Sequence, residues 1–161
     1  MEHLAKLLSI LRSTDTVVLL TRNADRIAGR PMALVDVDDD GTIYLTTAIG
    51  SQKAVEIAAD SAVNITAQTS KGIVSIEGRA RLTQDRAIID NLWKDSWRIW
   101  YPEGRNSPSI AIVIVSPVEG SYWDTSIAHG LSFLWRAVKA RITGDEVETN
   151  ASDVGSVQMR H

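Results

Sequence analysis

Apolar positions recur at two periods along this chain, and the change from one to the other divides it into elements. Leu4, Leu7, Leu8 and Leu11 stand at helical spacing, with Glu2, Lys6 and Arg12 off the stripe. An amphipathic helix packed on something larger is therefore predicted at the start. The run Thr16 to Thr21 is rich in β-branched and apolar residues and predicts a strand, followed by a turn at Asn23-Ala24-Asp25. A second strand is predicted from Ile27 to Val37, broken near its start by Gly29 and Pro31. Asp38-Asp39-Asp40-Gly41 predicts a hairpin, because Asp-Gly supplies the positive φ that such turns need, and Thr42 to Thr47 is the return strand.

Ala48-Ile49-Gly50 interrupts the pattern, and Ser51 stands where it can cap a short helix running to about Ala59. Ala62 to Thr69 and Gly72 to Thr83 form a further strand pair around a Ser70-Lys71-Gly72 turn. Ile88, Ile89, Leu92 and Trp93 make the apolar stripe of a helix from Asp85 to about Trp97, and Tyr101 to Pro108 is loop. Two last strands are predicted at Ile110 to Ser116 and Gly120 to Asp124, joined across Pro117. About seven strands on mostly short connections, with helices inserted between hairpins, give a mainly β class: an antiparallel β-barrel with peripheral helices. A second amphipathic helix is predicted from Ala128 to Ile142. Beyond Gly144 the chain turns polar, so one domain over residues 1–144 and a mobile tail over 145–161 are expected.

Composition narrows the chemistry. The chain has 161 residues, enough for one core, and its 44% apolar and 23% charged content is that of an ordinary globular protein. Its net charge of -3 and lack of a dense Lys/Arg stripe give no drive toward nucleic acid or an anionic membrane. The apolar runs are too short to span a bilayer and the start has no leader pattern, so a cytoplasmic location is expected. Without cysteine, disulfides, thiol catalysis and thiolate metal sites are excluded. Of three histidines, His3 and His161 lie near the ends and only His129 is internal, with no supporting motif and no metal site expected. Chemistry in this chain would have to come from a cofactor.

The richest stretch runs from Arg30 to Lys53. The hairpin folds Arg30-Pro31-Met32 against Tyr44-Leu45-Thr46-Thr47, and the helix opening at Ser51-Gln52-Lys53 follows directly. A guanidinium, hydroxyls, free helix N–H groups and an ammonium are thus drawn toward one point, a combination suited to phosphate. Taken singly, each residue has a plainer role: Ser51 as a cap, Lys53 in solvent, Arg30 in a surface ion pair. These residues do not by themselves name a ligand.

In order along the chain, Arg30-Pro31-Met32, Asp40-Gly41-Thr42-Ile43-Tyr44-Leu45-Thr46-Thr47 and Ser51-x-Lys53 resemble the pyridoxamine 5'-phosphate oxidase-like family of FMN-binding split barrels, and more narrowly its general stress protein branch. Glu77-Gly78-Arg79-Ala80 with Asp85-Arg86, Leu92-Trp93, Trp100-Tyr101-Pro102-Glu103-Gly104 with Pro108, and Val115-x-Pro117 followed by Tyr122-Trp123-Asp124 continue the likeness, over roughly residues 2–125. The resemblance implies a split β-barrel that holds FMN at a homodimer interface. It implies that Arg30, Pro31 and Met32 run along the flavin with Arg30 available to the phosphate, that Thr46 and Thr47 bond the ribityl-phosphate arm, and that Ser51 and Lys53 hold the phosphate. Trp100 and Trp123 are the candidates to close over the ring, although Trp93, Trp97 and Trp100 at helical spacing also suit a core or an interface.

The implied function is an FMN-binding flavoprotein of the general stress type, with FMN-dependent oxidoreductase activity. A non-catalytic flavin-binding or stress-sensing module, and a split barrel for a deazaflavin or haem, are the alternatives. Two departures matter. Ser107-Pro108 replaces the family's frequent Asp-Pro, and Gln52 stands where relatives use a basic residue. The chain also ends in Val157-Gln158-Met159-Arg160-His161 rather than in a basic substrate-binding segment, so vitamin B6 oxidase activity is not expected.

Overall fold

A computed structural model describes residues 2–124 and 154–159. Helix α1 (Glu2–Leu11) is followed by β1 (Thr16–Asn23), β2 (Arg26–Val37), β3 (Ile43–Ala48), α2 (Gln52–Ala59), β4 (Ala62–Gln68) and β5 (Gly72–Thr83). Then come α3 (Arg86–Leu92), a 3-10 turn (Asp95–Ile99), β6 (Ile110–Asp124) and β7 (Val154–Gln158). The strands run in the order β3-β2-β1-β4-β5-β6-β7, and β3 also pairs with β6. Six antiparallel strands therefore close into a barrel, the split barrel expected, with β7 added outside it.

Closure depends on the length of β6. Its first half, Ile110 to Val115, pairs with β3, while Glu119 to Trp123 runs past the end of β3 and pairs with β7. The first half is also buried on both faces. Val113 and Val115 enter the barrel core with Leu7, Leu11, Leu19, Leu45, Ile65 and Ile76. Ile110, Ile112 and Ile114 point outward into a second core with Ile89, Leu92, Trp97 and Tyr101. An unbroken apolar run is what burial on two faces requires. Helix α1 supplies Leu7, Leu8, Ile10 and Leu11 to the barrel core. It approaches so closely at Gly120 that a Cβ there would lie 2.5 Å from Leu7 Cδ1.

Three expectations need correction. Gly29 and Pro31 do not break β2, which runs continuously from Arg26 to Val37. β3 pairs only with Leu34 to Val37, so β2 is an edge at Pro31 and the missing N–H costs no ladder bond on that side. Pro117 does not divide β6 either. Gly78 faces Pro117 and Glu77 faces Glu119, so Val118 is the extra residue of a bulge and the strand continues through it. The helix expected over Asp85 to Trp97 is two pieces. Trp93 leaves helical geometry at φ -57° and ψ 133°, and the Lys94 ammonium donates to the Val35 carbonyl at 3.1 Å. Within the polar stretch beyond Gly144, Val154–Gln158 form β7 against β6 and Met159 is buried. The helix expected over Ala128 to Ile142 lies outside the described residues.

Candidate functional site

The barrel opens where β2 and β3 part. β3 pairs with β2 only through Ile43, Tyr44 and Leu45, whereas Thr46, Thr47 and Ala48 pair with β6 alone. Pro31, Met32 and Ala33 on β2 therefore have no strand beside them on that side. A cavity of about 310 Å³ occupies the gap, between Pro31-Met32-Ala33 and Thr46-Thr47-Ala48, with Lys53, Trp100 and Tyr101 completing the wall. A second cavity of about 530 Å³ shares Pro31, Met32, Ala33 and Trp100 and continues over Thr16, Lys94, Ser96 and Trp97. Together they form a trough along the free edge of β2, with main-chain polar groups on one wall and aromatic rings on the other.

Alternation along β3 turns its two threonines different ways. Thr46 Oγ1 lies 3.2 Å from the Tyr101 hydroxyl and Thr47 Oγ1 lies 3.1 Å from Ser51 Oγ. Thr46 and Thr47 are buried, and burial pushes the Tyr101 phenol up, opposed by its bond to Thr46. Ser51 holds the N-cap position of α2 in extended geometry, φ -74° and ψ 154°, yet its hydroxyl makes no capping bond. It faces Thr47 instead; the Ala54 N–H is taken by the Ser51 carbonyl at 3.0 Å, and the N–H groups of Gln52 and Lys53 are those without an intrahelical acceptor.

Lys53 lines the cavity from the first turn of α2. It is half-buried, and among the described residues no carboxylate forms a salt bridge with it. Burial lowers its pKa below the ordinary lysine value, the Arg30 charge lowers it further, and Glu56 acts in the opposite sense. A half-buried cation influenced by a second cation, in the first turn of a helix and lining one cavity with the Thr46, Thr47 and Tyr101 side chains, is a site that an anion would stabilise.

Arg30 does not line either cavity. Its guanidinium is bound to Glu56 Oε2 at 2.6 Å through Nη2 and to the Thr21 hydroxyl through Nη1. Glu56 is 4% exposed and also accepts from Thr21 at 2.5 Å, Asn23 at 3.1 Å and Gln52 at 3.2 Å. These bonds, led by Thr21, hold the carboxyl below its usual range against the opposing effect of burial. This network was not read from the sequence. Its signal is the phase of β1, where Val17, Leu19 and Thr21 fall on one buried face and the last of them is polar.

Trp100 stands at the junction of the two cavities and is 57% exposed. Trp123 is at the far end of β6, opposite Ile73 of β5, and lines neither cavity of its own chain. The tryptophans do not form one helical stripe. Trp93 caps α3 and meets Trp97 edge to face at 5.6 Å. The structure thus gathers Pro31, Met32, Thr46, Thr47, Lys53 and Trp100 on one trough with Ser51 at its margin, and leaves Arg30 beside it and Trp123 remote.

Residues 2–148 match the profile of the pyridoxamine 5'-phosphate oxidase like family. The chain belongs to this family. No match was found among curated protein sequences. Among solved structures, a protein assigned as general stress protein 26 from Jannaschia sp. CCS1 superposes with a TM-score of 0.71 at 22% identity, over 98% of this chain and 99% of that one. The general stress FMN/FAD binding protein of Xanthomonas citri gives 0.68 at 22% identity, over 78% and 92%. A heme binding protein from Mycobacterium smegmatis gives 0.58 at 14% identity, over 74% and 52%. At these identities the likenesses establish the fold. None of the described helices of this family member is long and apolar enough to cross a membrane.

Proposed function

We propose that this chain is an FMN-binding flavoprotein of the general stress type that serves as an FMN-dependent oxidoreductase. The observation that carries this reading is Lys53, a half-buried cation without a carboxylate partner among the described residues, facing the gap where β2 and β3 part. Its ammonium, the Ser51 and Thr47 hydroxyls and the first N–H groups of α2 would hold the phosphate. The β2 edge at Pro31 to Ala33, which has no strand beside it on this side, would lie along the edge of the ring, and Thr46 would reach the ribityl arm. Bound FMN supplies the electron-accepting chemistry, while the trough orients the ring and shields it from water. The Xanthomonas citri neighbour, named as FMN/FAD binding, supports the same choice of ligand.

The reading includes a homodimer. One trough wall is open, Trp100 is exposed, and Ile27, Val18 and Val118 present an apolar face at 76%, 39% and 43% exposure. A second copy would cover that face and close the trough, and Trp123 of one chain, 39% exposed, is the residue proposed to reach the flavin of the other.

Mass spectrometry of the ligand released from purified protein tests the cofactor directly. FMN supports the proposal, and a deazaflavin or haem replaces it. Haem has less support, because the one histidine among the described residues, His3, is bonded to the Tyr122 hydroxyl at 2.8 Å and lines neither cavity. Turnover with NADH or NADPH as donor separates an oxidoreductase from a binding module. Light scattering tests the dimer.

A further inference from the structure

The Arg30–Glu56 pair lies next to the proposed phosphate subsite without lining it. Glu56 is one helical turn beyond Lys53 and Gln52 on α2, so these side chains share a face of the helix. Its carboxylate receives Thr21 and Asn23 from β1, Arg30 from β2 and Gln52 from its own helix. That is one donor for each acceptor position of a carboxylate. The Thr21 hydroxyl links the pair further, accepting from Arg30 Nη1 while donating to Glu56. Such a network stays charged when buried, because every charge and lone pair is met. It ties the first turn of α2 to two strands, and that turn carries Ser51 and Lys53.

We propose that Arg30 acts on the phosphate subsite as a positioning residue rather than as a ligand: it neutralises buried Glu56, and the joined pair sets α2 and its Lys53 against Thr47. This rests on the FMN reading above and deepens it. Two geometric facts separate positioning from direct ligation. Arg30 is absent from the wall of both cavities, and its two Nη groups are directed at Thr21 and Glu56. Removing Arg30 alone would leave a carboxylate without its counter-charge beside an anion site and loosen the turn that carries Lys53. Removing both partners abolishes that negative charge.

The test compares dissociation constants for FMN and riboflavin in the full chain stripped of ligand, for wild type, Lys53→Ala, Arg30→Met, and the double variant Arg30→Met with Glu56→Met. Arg30→Met is expected to weaken FMN at least tenfold while changing riboflavin less than twofold. The double variant is expected to bring FMN back to within about threefold of wild type, since an apolar pair of similar volume tolerates this burial. If the double variant binds FMN as weakly as Arg30→Met, Arg30 contacts the phosphate and the proposal is overturned. Normal FMN binding by Arg30→Met overturns it as well. The double variant Arg30→Gln with Glu56→Gln, which keeps hydrogen-bonding groups, decides the matter by the same criterion should the methionine pair not fold. Lys53→Ala is the control: if it does not separate FMN from riboflavin, the flavin phosphate reading itself fails, whatever Arg30 does.

Discussion

Replacing Lys53 by alanine removes a trough-lining cation that forms no salt bridge among the described residues. A charge-assisted bond to a phosphate in a half-buried site contributes about 1.5–3 kcal/mol. At about 1.4 kcal/mol per factor of ten, FMN should bind roughly 10- to 150-fold more weakly. Riboflavin, which has the same ring and ribityl chain but no phosphate, should be almost unaffected. Flavin fluorescence titrated with protein measures both constants. The pH dependence adds a second test. Burial and the Arg30 charge hold the Lys53 pKa down in the free protein, and a bound phosphate would raise it again. FMN affinity should then be level at neutral pH and fall as pH rises through the depressed pKa of the free protein, before an ordinary lysine would titrate. Lys53→Arg should bind FMN without that alkaline fall, because guanidinium does not titrate there. Equal losses for FMN and riboflavin in Lys53→Ala, or an alkaline fall that persists in that variant, would refute the phosphate role.

Three further outcomes follow from the structure. Met159, buried against the barrel beside Gly120, should cost about 2 kcal/mol when changed to alanine, read by thermal denaturation; an unchanged melting temperature would mean that the chain beyond β7 does not dock. Gly41→Ala should destabilise by about 1–3 kcal/mol in urea titration, because its φ of 91° lies in the left-handed region and the new Cβ would stand 3.2 Å from Met159 Sδ. The Tyr44 hydroxyl donates to Asp38 at 2.7 Å, and that bond, with burial, pushes the phenol up to about 12. The neutral phenol is favoured in the folded state, so its contribution is complete below pH 10 and is lost as pH climbs toward 12. An ultraviolet titration that loses its latest-titrating phenol in Tyr44→Phe would confirm the assignment.

The β-hairpins were legible because each carries its own local cause. Asp40-Gly41 demands a positive φ, and the strands on either side of it pair as the pattern requires. β5 lies where the alternation around Ser70-Lys71 puts it, Gly72 to Thr83. The sequence pattern also draws Pro31, Met32, Thr46, Thr47 and Lys53 toward one point, through a hairpin and the helix start that follows it, and these five line one cavity. What misled were signals whose meaning depends on neighbours. Pro31 and Pro117 look like strand breaks until the free edge at one and the bulge at the other are seen. Trp93, Trp97 and Trp100 look like one stripe until Lys94 is seen bonding to the Val35 carbonyl of β2.

Local sequence determined the turns, the strand phases and the residues of the split, since φ preferences and the two-residue period act within a few positions. Only the folded chain decided three things. It set β7 on the outer half of β6, it closed the barrel by pairing β3 with β6, and it brought Glu56 of α2 to Arg30 of β2. Each joins segments far apart in sequence, and the free energy that selects them comes from burying shared surface and satisfying shared polar groups, which no single segment contains.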